Sequence, residues 1–423
     1  MQKLSVLNLL KSYFKPEILV ILFFGLSCGL PLALIISTLK ALLFDKGFDI
    51  KIIGFLSLVS LPYSIKFFWA PFVDSLPIPY LTKRLGKYRT WILITQLLLI
   101  ASICVLGIYG AKGDLFYISV FAVLTAFFSA TQDIAVDAYR IETIKKENQA
   151  IAAAMYIYGY RVGMLISGAG ALFLSDHISW GKVYYIMSAL MLIGIVSTLL
   201  AREKPAHFLS DNRNFLVWIK NAVIEPIADF LRRDSCYIIF AFVVFFKLSD
   251  AFAGALTLPF LLDIDFSKTE IAAIVKTFGL FATLAGVFLG GILVKFAGMT
   301  RSLWIAIVAG MLSNLVFYYL ALIGHNTNAL YMAVFIENFS GGIGDAVFVA
   351  YLSSLCNVSF TATQYAILVS FATVGRSILS STTGVFAEYL GWANFFLFST
   401  AAAIPGILLL FLLTKTGKLA IKV

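Results

Sequence analysis

Twelve stretches of mostly apolar residues run through this chain of 423, and that repetition excludes most of the ways a polypeptide can fold. An α-helix rises 1.5 Å per residue, so about 20 residues are needed to cross a hydrocarbon core about 30 Å thick. The candidate spans, numbered 1 to 12, lie near 17–39, 50–73, 91–110, 115–139, 149–174, 182–200, 236–262, 270–296, 302–323, 329–357, 361–388 and 392–414. Strands of an outer-membrane barrel would be about ten residues long and alternate in polarity, which these runs do not. With 61% of residues hydrophobic, 13% charged and a mean hydropathy of +0.95, the composition is far from that of a water-soluble domain. The chain reads as an all-α integral membrane protein of twelve transmembrane helices.

The basic residues orient it. If both termini lie in the cytoplasm, 21 of the 32 Lys and Arg fall on that side, among them Lys3, Lys11, Lys15, Lys83, Arg84, Lys87, Arg89, Lys204, Arg213, Lys220 and Lys422. Lys40, Lys46, Lys51, Lys112, Lys182 and Lys268 fall outside. The positive-inside rule then places both termini in the cytoplasm. The net charge of +10 reflects this loop asymmetry, and basic residues scattered over short loops make no nucleic-acid footprint.

A hydrophilic stretch at 202–235, with Pro205, Pro226 and mixed charges, separates six spans from six. It divides the chain into an N-terminal half at 1–201 and a C-terminal half at 236–423. The halves echo each other in three places. Leu43-Phe44-Asp45-Lys46-Gly47-Phe48 resembles Leu261-Leu262-Asp263-Ile264-Asp265-Phe266; Asp133, Ala138 and Tyr139 belong to a segment echoed at Asp345-Ala346-Val347-Phe348-Val349-Ala350-Tyr351; and Gln149 with Arg161 matches Gln364 with Arg376. The order is the same and the shifts run from 212 to 218, as a parallel repeat of two six-helix halves requires.

Ionisable residues sit inside apolar spans, where each is costly and therefore faces water or a partner charge. Lys66 lies in span 2, Asp133 and Asp137 in span 4, Arg161 in span 5, Lys247 and Asp250 in span 7, Lys276 in span 8, Glu337 and Asp345 in span 10, and Arg376 in span 11. Spans 3, 6, 9 and 12 carry none and are fit to face lipid. The others are then expected to line a central cavity. Gly159-x-x-x-Gly163 in span 5 and Gly279, Gly286, Gly290 and Gly291 in span 8 permit close helix approach. Pro31, Pro62 and Pro259 permit bends in spans 1, 2 and 7.

Cys28, Cys104, Cys236 and Cys356 fall in different spans without paired spacing and read as small core residues. His177, His207 and His325 all fall in loops, and neither HExxH nor GxSxG occurs. An enzyme is therefore not expected, nor a cofactor or metal centre. A membrane sensor without transport would not require so many charges facing one interior.

Three segments carry a family resemblance. They are Gly25-Leu26-Ser27-Cys28-Gly29-Leu30-Pro31-Leu32-Ala33, the run from Leu61 to Asp74 (LPYSIKFFWAPFVD), and Ala130-Thr131-Gln132-Asp133-Ile134-Ala135-Val136-Asp137-Ala138-Tyr139-Arg140. With them the chain is similar to the AmpG muropeptide permeases, and its six-plus-six plan resembles the major facilitator superfamily. Asp74 followed by Lys83-Arg84-Leu85-Gly86-Lys87-Tyr88-Arg89 resembles a degenerate form of that superfamily's loop motif. The resemblance implies proton-driven import of anhydro-muropeptides across a bacterial inner membrane. Eukaryotic acetyl-CoA carriers are similar as well, so another anionic solute or a sugar is the alternative cargo. A monomer with a small glycopeptide substrate, protons and the lipid bilayer as its partners is expected.

A glycopeptide carries carboxylates and hydroxyls. Lys66, Arg161, Lys247, Lys276 and Arg376 are candidates for its carboxylates, and Tyr63, Trp69, Tyr156, Tyr158 and Tyr160 for its sugars. Helix packing is the alternative for each aromatic. An ion pair with Asp133 or Asp345 is the alternative for Arg161 and Arg376. Asp133 is the first candidate for proton coupling, with Asp345, Glu337 and Asp250 in reserve. Asp137, nearer the membrane surface, is expected to pair with Arg140 or a loop base, and together with Asp74, Arg84 and Arg89 forms a candidate gating region.

Overall fold

The computed structural model describes residues 11–203 and 220–419. Lys3, Lys204, Pro205, His207, Arg213 and Lys422 lie outside the described residues, and with them residues 204–219 of the expected linker. Among the described residues there are helices and turns but no strand. Ten helical runs among the described residues are long and apolar enough to cross a membrane.

Twelve traversals follow once two breaks are placed. The run Lys268–Ile323 has 56 residues, nearly three times the length of about 20 that one crossing needs, and Gly298 interrupts it with φ 78° and ψ 166°. Gly391, at φ 70° and ψ 164°, divides Thr383–Lys415 in the same way. Its first part continues the helix Thr361–Ser380 as span 11, and the remainder is span 12. A side chain at φ near +70° with extended ψ is strained, so glycine stands where the chain reverses. The other spans are Pro16–Asp45, Lys51–Phe68 extended by Ala70–Ser75, Lys87–Lys112, Leu115–Thr143, Lys146–Ser175, Trp180–Leu200, Cys236–Asp263 and Thr327–Ser354.

Helix starts repeat with the sequence. Asp49 accepts from Lys51 N at the start of span 2, and Ser267 with Glu270 forms a capping box at the start of span 8. Asp114 accepts from Tyr117 N before span 4, and Asn326 from Ala329 N before span 10. The two pairs of caps are 218 and 212 residues apart, the same shifts that relate Asp45 to Asp263 and Asp133 to Asp345. A further pair repeats at the opposite ends of neighbouring helices. Trp180 Nε1 donates to Asp45 Oδ2 at 3.1 Å, and Trp392 Nε1 donates to Asp263 Oδ2 at 2.6 Å. Each bond ties the end of a half's first span to the start of its last.

Two compact units result. The first contains the described part of Met1–Ile227 together with Cys356–Ser370, and the second Ala228–Leu355 with the described part of Phe371–Val423. Helix Thr361–Ser380 thus contributes its first ten residues to one unit and its remainder to the other.

Within the first unit, spans 1 and 5 meet backbone to backbone. A Cβ on Gly159 would stand 1.9 Å from Leu22 O, and one on Gly163 would stand 2.3 Å from Leu26 O. The facing helix answers with Gly25 and Gly29, whose added Cβ atoms would fall 2.1 and 2.0 Å from the carbonyl oxygens of Tyr156 and Tyr160. No side chain fits there, so two small-xxx-small faces interlock. The second unit uses spans 8 and 10 instead: a Cβ on Gly286 would lie 2.1 Å from Phe339 O, and one on Gly342 would lie 2.3 Å from Thr283 O.

Candidate functional site

Span 4 is the axis of the first unit. Every residue from Ser129 to Arg140 is buried, which over three turns means neighbours on all sides. Gln132 Nε2 donates to Ser27 Oγ at 2.9 Å and fixes the span against span 1. On a different face, Asp133 and Asp137 stand one turn apart.

The partner of Asp133 comes from span 2. Lys66 Nζ lies 4.0 Å from Asp133 Oδ2, with both side chains 7% exposed. The sequence offered Arg161 as an alternative partner for this aspartate; Lys66 forms an ion pair with it. Lys66 opens the 3₁₀ turn Lys66–Phe68, which together with another at Leu56–Ser60 makes span 2 irregular. Asp133 Oδ1 and the Tyr63 hydroxyl find no hydrogen-bond partner among the described residues. Trp69, on the same span, donates from Nε1 to Thr131 Oγ1 at 3.0 Å and packs on Phe127.

Asp137 pairs with Arg140, Oδ1 to Nη2 at 3.2 Å. The arginine is fully buried, and its guanidinium carbon lies 5.8 Å from the Tyr156 ring centre and 5.6 Å from that of Tyr365. Two aromatic faces and one carboxylate thus replace the water the cation has lost. Tyr156 packs 5.8 Å from Tyr160. Arg161 and Tyr158 are half-buried on the same span.

A second cluster lies at the end of the first unit that holds residues 74–89. Asp74 receives Ala362 N at 3.2 Å, and Thr363 N and Thr363 Oγ1 both at 2.7 Å, so it caps the N-terminus of helix Thr361–Ser380. Lys87 Nζ is 3.5 Å away. The Tyr88 hydroxyl lies 3.0 Å from Asp74 Oδ1 and 2.7 Å from Glu142 Oε1. Arg84 is exposed.

Arg89 joins the start of span 3 to the end of span 6. Its guanidinium donates to the carbonyls of Leu85, Thr198 and Leu199, while Glu203 accepts from the amides of Tyr88 and Arg89. The end of span 6 and the start of span 3 cap one another, and Arg89 is bound into that joint. Burial raises the pKa of the Glu203 carboxyl, and the two amides oppose the shift.

The second unit gathers its own charges. Lys247 Nζ bonds Asp345 Oδ1, stands 3.6 Å from Asp250 Oδ2 and donates to Gly341 O at 3.3 Å. Glu337 Oε2 accepts from Asn338 Nδ2 at 2.9 Å, and Asn338 Oδ1 accepts from Thr283 Oγ1. Arg376 lies over the Phe348 ring at 5.7 Å. Lys276 is exposed on the π-helical turn Ala272–Phe278.

Sequence reasoning missed Tyr88, Glu142, Thr363 and Tyr365. Thr361-x-Thr363 ahead of an apolar run is a helix-start signal that marked the position without naming its partner.

A twelve-span helical bundle with charges buried inside its two units is the architecture of a secondary transporter. The sequence model of the Major Facilitator Superfamily matches residues 18–313, and the fold is close to that of the human organic anion transporter MFSD10 (TETRAN), at a TM-score of 0.69 and 13% identity over 93% of this chain and 99% of that one. The proton:xylose symporter XylE matches at a TM-score of 0.66 and 13% identity, over 96% of each chain. The Escherichia coli K12 anhydromuropeptide permease is 38% identical over 409 residues, covering 96% of this chain and 82% of its own length. The chain belongs to the Major Facilitator Superfamily and, within it, to the AmpG family. It is a multi-pass membrane transporter.

Proposed function

We propose that this transporter imports anhydro-muropeptides across the inner membrane of a bacterium by proton symport, acting as a monomer with both termini in the cytoplasm and catalysing no covalent chemistry. The cargo rests on the 38% identity to the anhydromuropeptide permease of E. coli over nearly the whole chain. The coupling rests on the Lys66–Asp133 pair, a carboxylate and an ammonium buried together within spans 2 and 4.

In this reading Asp133 exchanges its ion pair for a proton as the transporter changes the side to which it opens. A carboxylate can leave Lys66 at modest cost only if it is neutralised. Arg161, Arg376, Lys247 and Lys276 attract the carboxylates of the cargo, with Lys66 joining them when Asp133 is protonated. Tyr63, Trp69, Tyr156 and Tyr160 offer rings and hydroxyls to its sugars, and Asp345, Glu337 and Asp250 are the reserve proton sites. Asp74, capping the start of helix Thr361–Ser380, and the Asp137–Arg140 pair hold the cytoplasmic gate.

Asp133→Asn tests this. The amide keeps shape and hydrogen bonding but cannot titrate. Accumulation driven by a pH gradient is expected to collapse in proteoliposomes while exchange of cargo at equal pH persists. Concentrative uptake by Asp133→Asn under proton drive would move the coupling site to Asp345 or Glu337.

A further inference from the structure

The Tyr88 hydroxyl holds one proton and is surrounded by three ionisable groups. Lys87 Nζ reaches its oxygen at 3.0 Å, Asp74 Oδ1 lies at 3.0 Å and Glu142 Oε1 at 2.7 Å. An ammonium only donates, and an ionised carboxylate only accepts. Tyr88 can satisfy one carboxylate with its proton. A second ionised carboxylate at hydrogen-bond distance would set lone pair against lone pair in a buried site, where an unmatched polar contact is costly.

Which acid is neutral follows from the donors each receives. Asp74 is supplied by two backbone amides at a helix N-terminus, the Thr363 hydroxyl and the nearby Lys87. That is an environment for a charged carboxylate. Around Glu142, at the end of span 4, the neighbouring groups are Tyr88 and Lys87 from span 3, Thr361 from the start of span 11, Asp74 from span 2, and Glu203 from beyond span 6. Two of these are acids, and the one cation is shared with Asp74.

We propose that Glu142 is a second proton-carrying residue of this transporter. Its carboxylic acid donates to Tyr88, which donates to Asp74, so the Asp74–Thr363 cap is complete only with a proton on Glu142. Freeing the start of helix Thr361–Ser380 breaks the chain Glu142–Tyr88–Asp74 and lets that proton go. Only the side to which it is released rests on the topology proposed above. Asp133 and Glu142 are both on span 4, nine residues or about 14 Å apart along the helix axis.

Infrared difference spectroscopy of the purified full chain in lipid nanodiscs tests this. Wild type at neutral pH is expected to show a carboxylic-acid C=O band that Glu142→Gln removes and Tyr88→Phe shifts. Asp133→Asn is expected to leave that band in place, which separates this proton from the one in the proposed coupling step. In cargo exchange assays, Glu142→Gln is expected to lose a one-proton dependence, about tenfold per pH unit at its steepest, on the pH at the Asp74 face. A Glu142→Gln spectrum unchanged in the acid region would overturn the proposal. Should that variant not fold, an acid band unaltered by Tyr88→Phe would overturn it equally.

Discussion

Lys66→Met is the most exacting test of the buried pair. Methionine retains the length and flexibility of the lysine stem and removes the charge. Lys66 Nζ and Asp133 Oδ2 are 4.0 Å apart and both nearly inaccessible, so solvent screens them little. Two unit charges at that distance interact by about 4 kcal/mol at an effective dielectric of about 20. At about 1.36 kcal/mol per decade, losing the cation lowers the ratio of charged to protonated Asp133 about a thousandfold. The proton is then held in both conformations, and gradient-driven accumulation is expected to vanish while exchange continues. Adding Asp133→Asn to Lys66→Met should cost little more, because the second change removes a group the first has already silenced. Uptake of labelled anhydro-muropeptide into proteoliposomes, with and without a pH gradient, measures all four members of the cycle. Accumulation surviving in Lys66→Met, or losses in the two single variants that simply add, would refute the coupling assigned to this pair.

Three further outcomes are expected. Gly159→Ala should destabilise the protein by about 1–3 kcal/mol, because its Cβ falls 1.9 Å from Leu22 O, whereas Gly54→Ala, with nothing within 4 Å, should be silent in thermal melts monitored by size exclusion. Cysteines replacing Lys112 or His325 should react with an impermeant maleimide on intact cells and a cysteine at Lys418 should not; the opposite labelling would invert the topology. Thr363→Val removes the hydroxyl bonded to Asp74 but leaves the two amides, so it should weaken that cap by about 1 kcal/mol and raise the rate of exchange, while an unchanged rate would show that the contact does not limit opening.

Local physics made much of this fold legible. Apolar length placed the reversals between 296 and 302 and between 388 and 392, where Gly298 and Gly391 turn the chain. The three-residue spacing of Asp137 and Arg140 put both on one helix face, and they form a pair. The repeat shifts of 218 and 212 were visible as sequence likeness before the helix caps gave them a structural meaning. What stayed hidden depends on how helices rotate against one another, which hydropathy does not encode. Lys66 and Asp133 are 67 residues apart in sequence, and nothing local indicates that they face each other. Asp74 and Thr363 are separated by 289 residues. Gly159-x-x-x-Gly163 announced a close contact, but its partner face at Gly25 and Gly29 lay inside a segment read only for its family likeness.

The bonds Trp180–Asp45 and Trp392–Asp263 bear on how such a chain is made. They close loops of 135 and 129 residues, each joining a half's first helix to its sixth. During synthesis the earlier loop can shut as soon as Trp180 leaves the ribosome, before any of the later six helices exists. Each half can therefore mature as a sealed ring in the bilayer without waiting for its sibling.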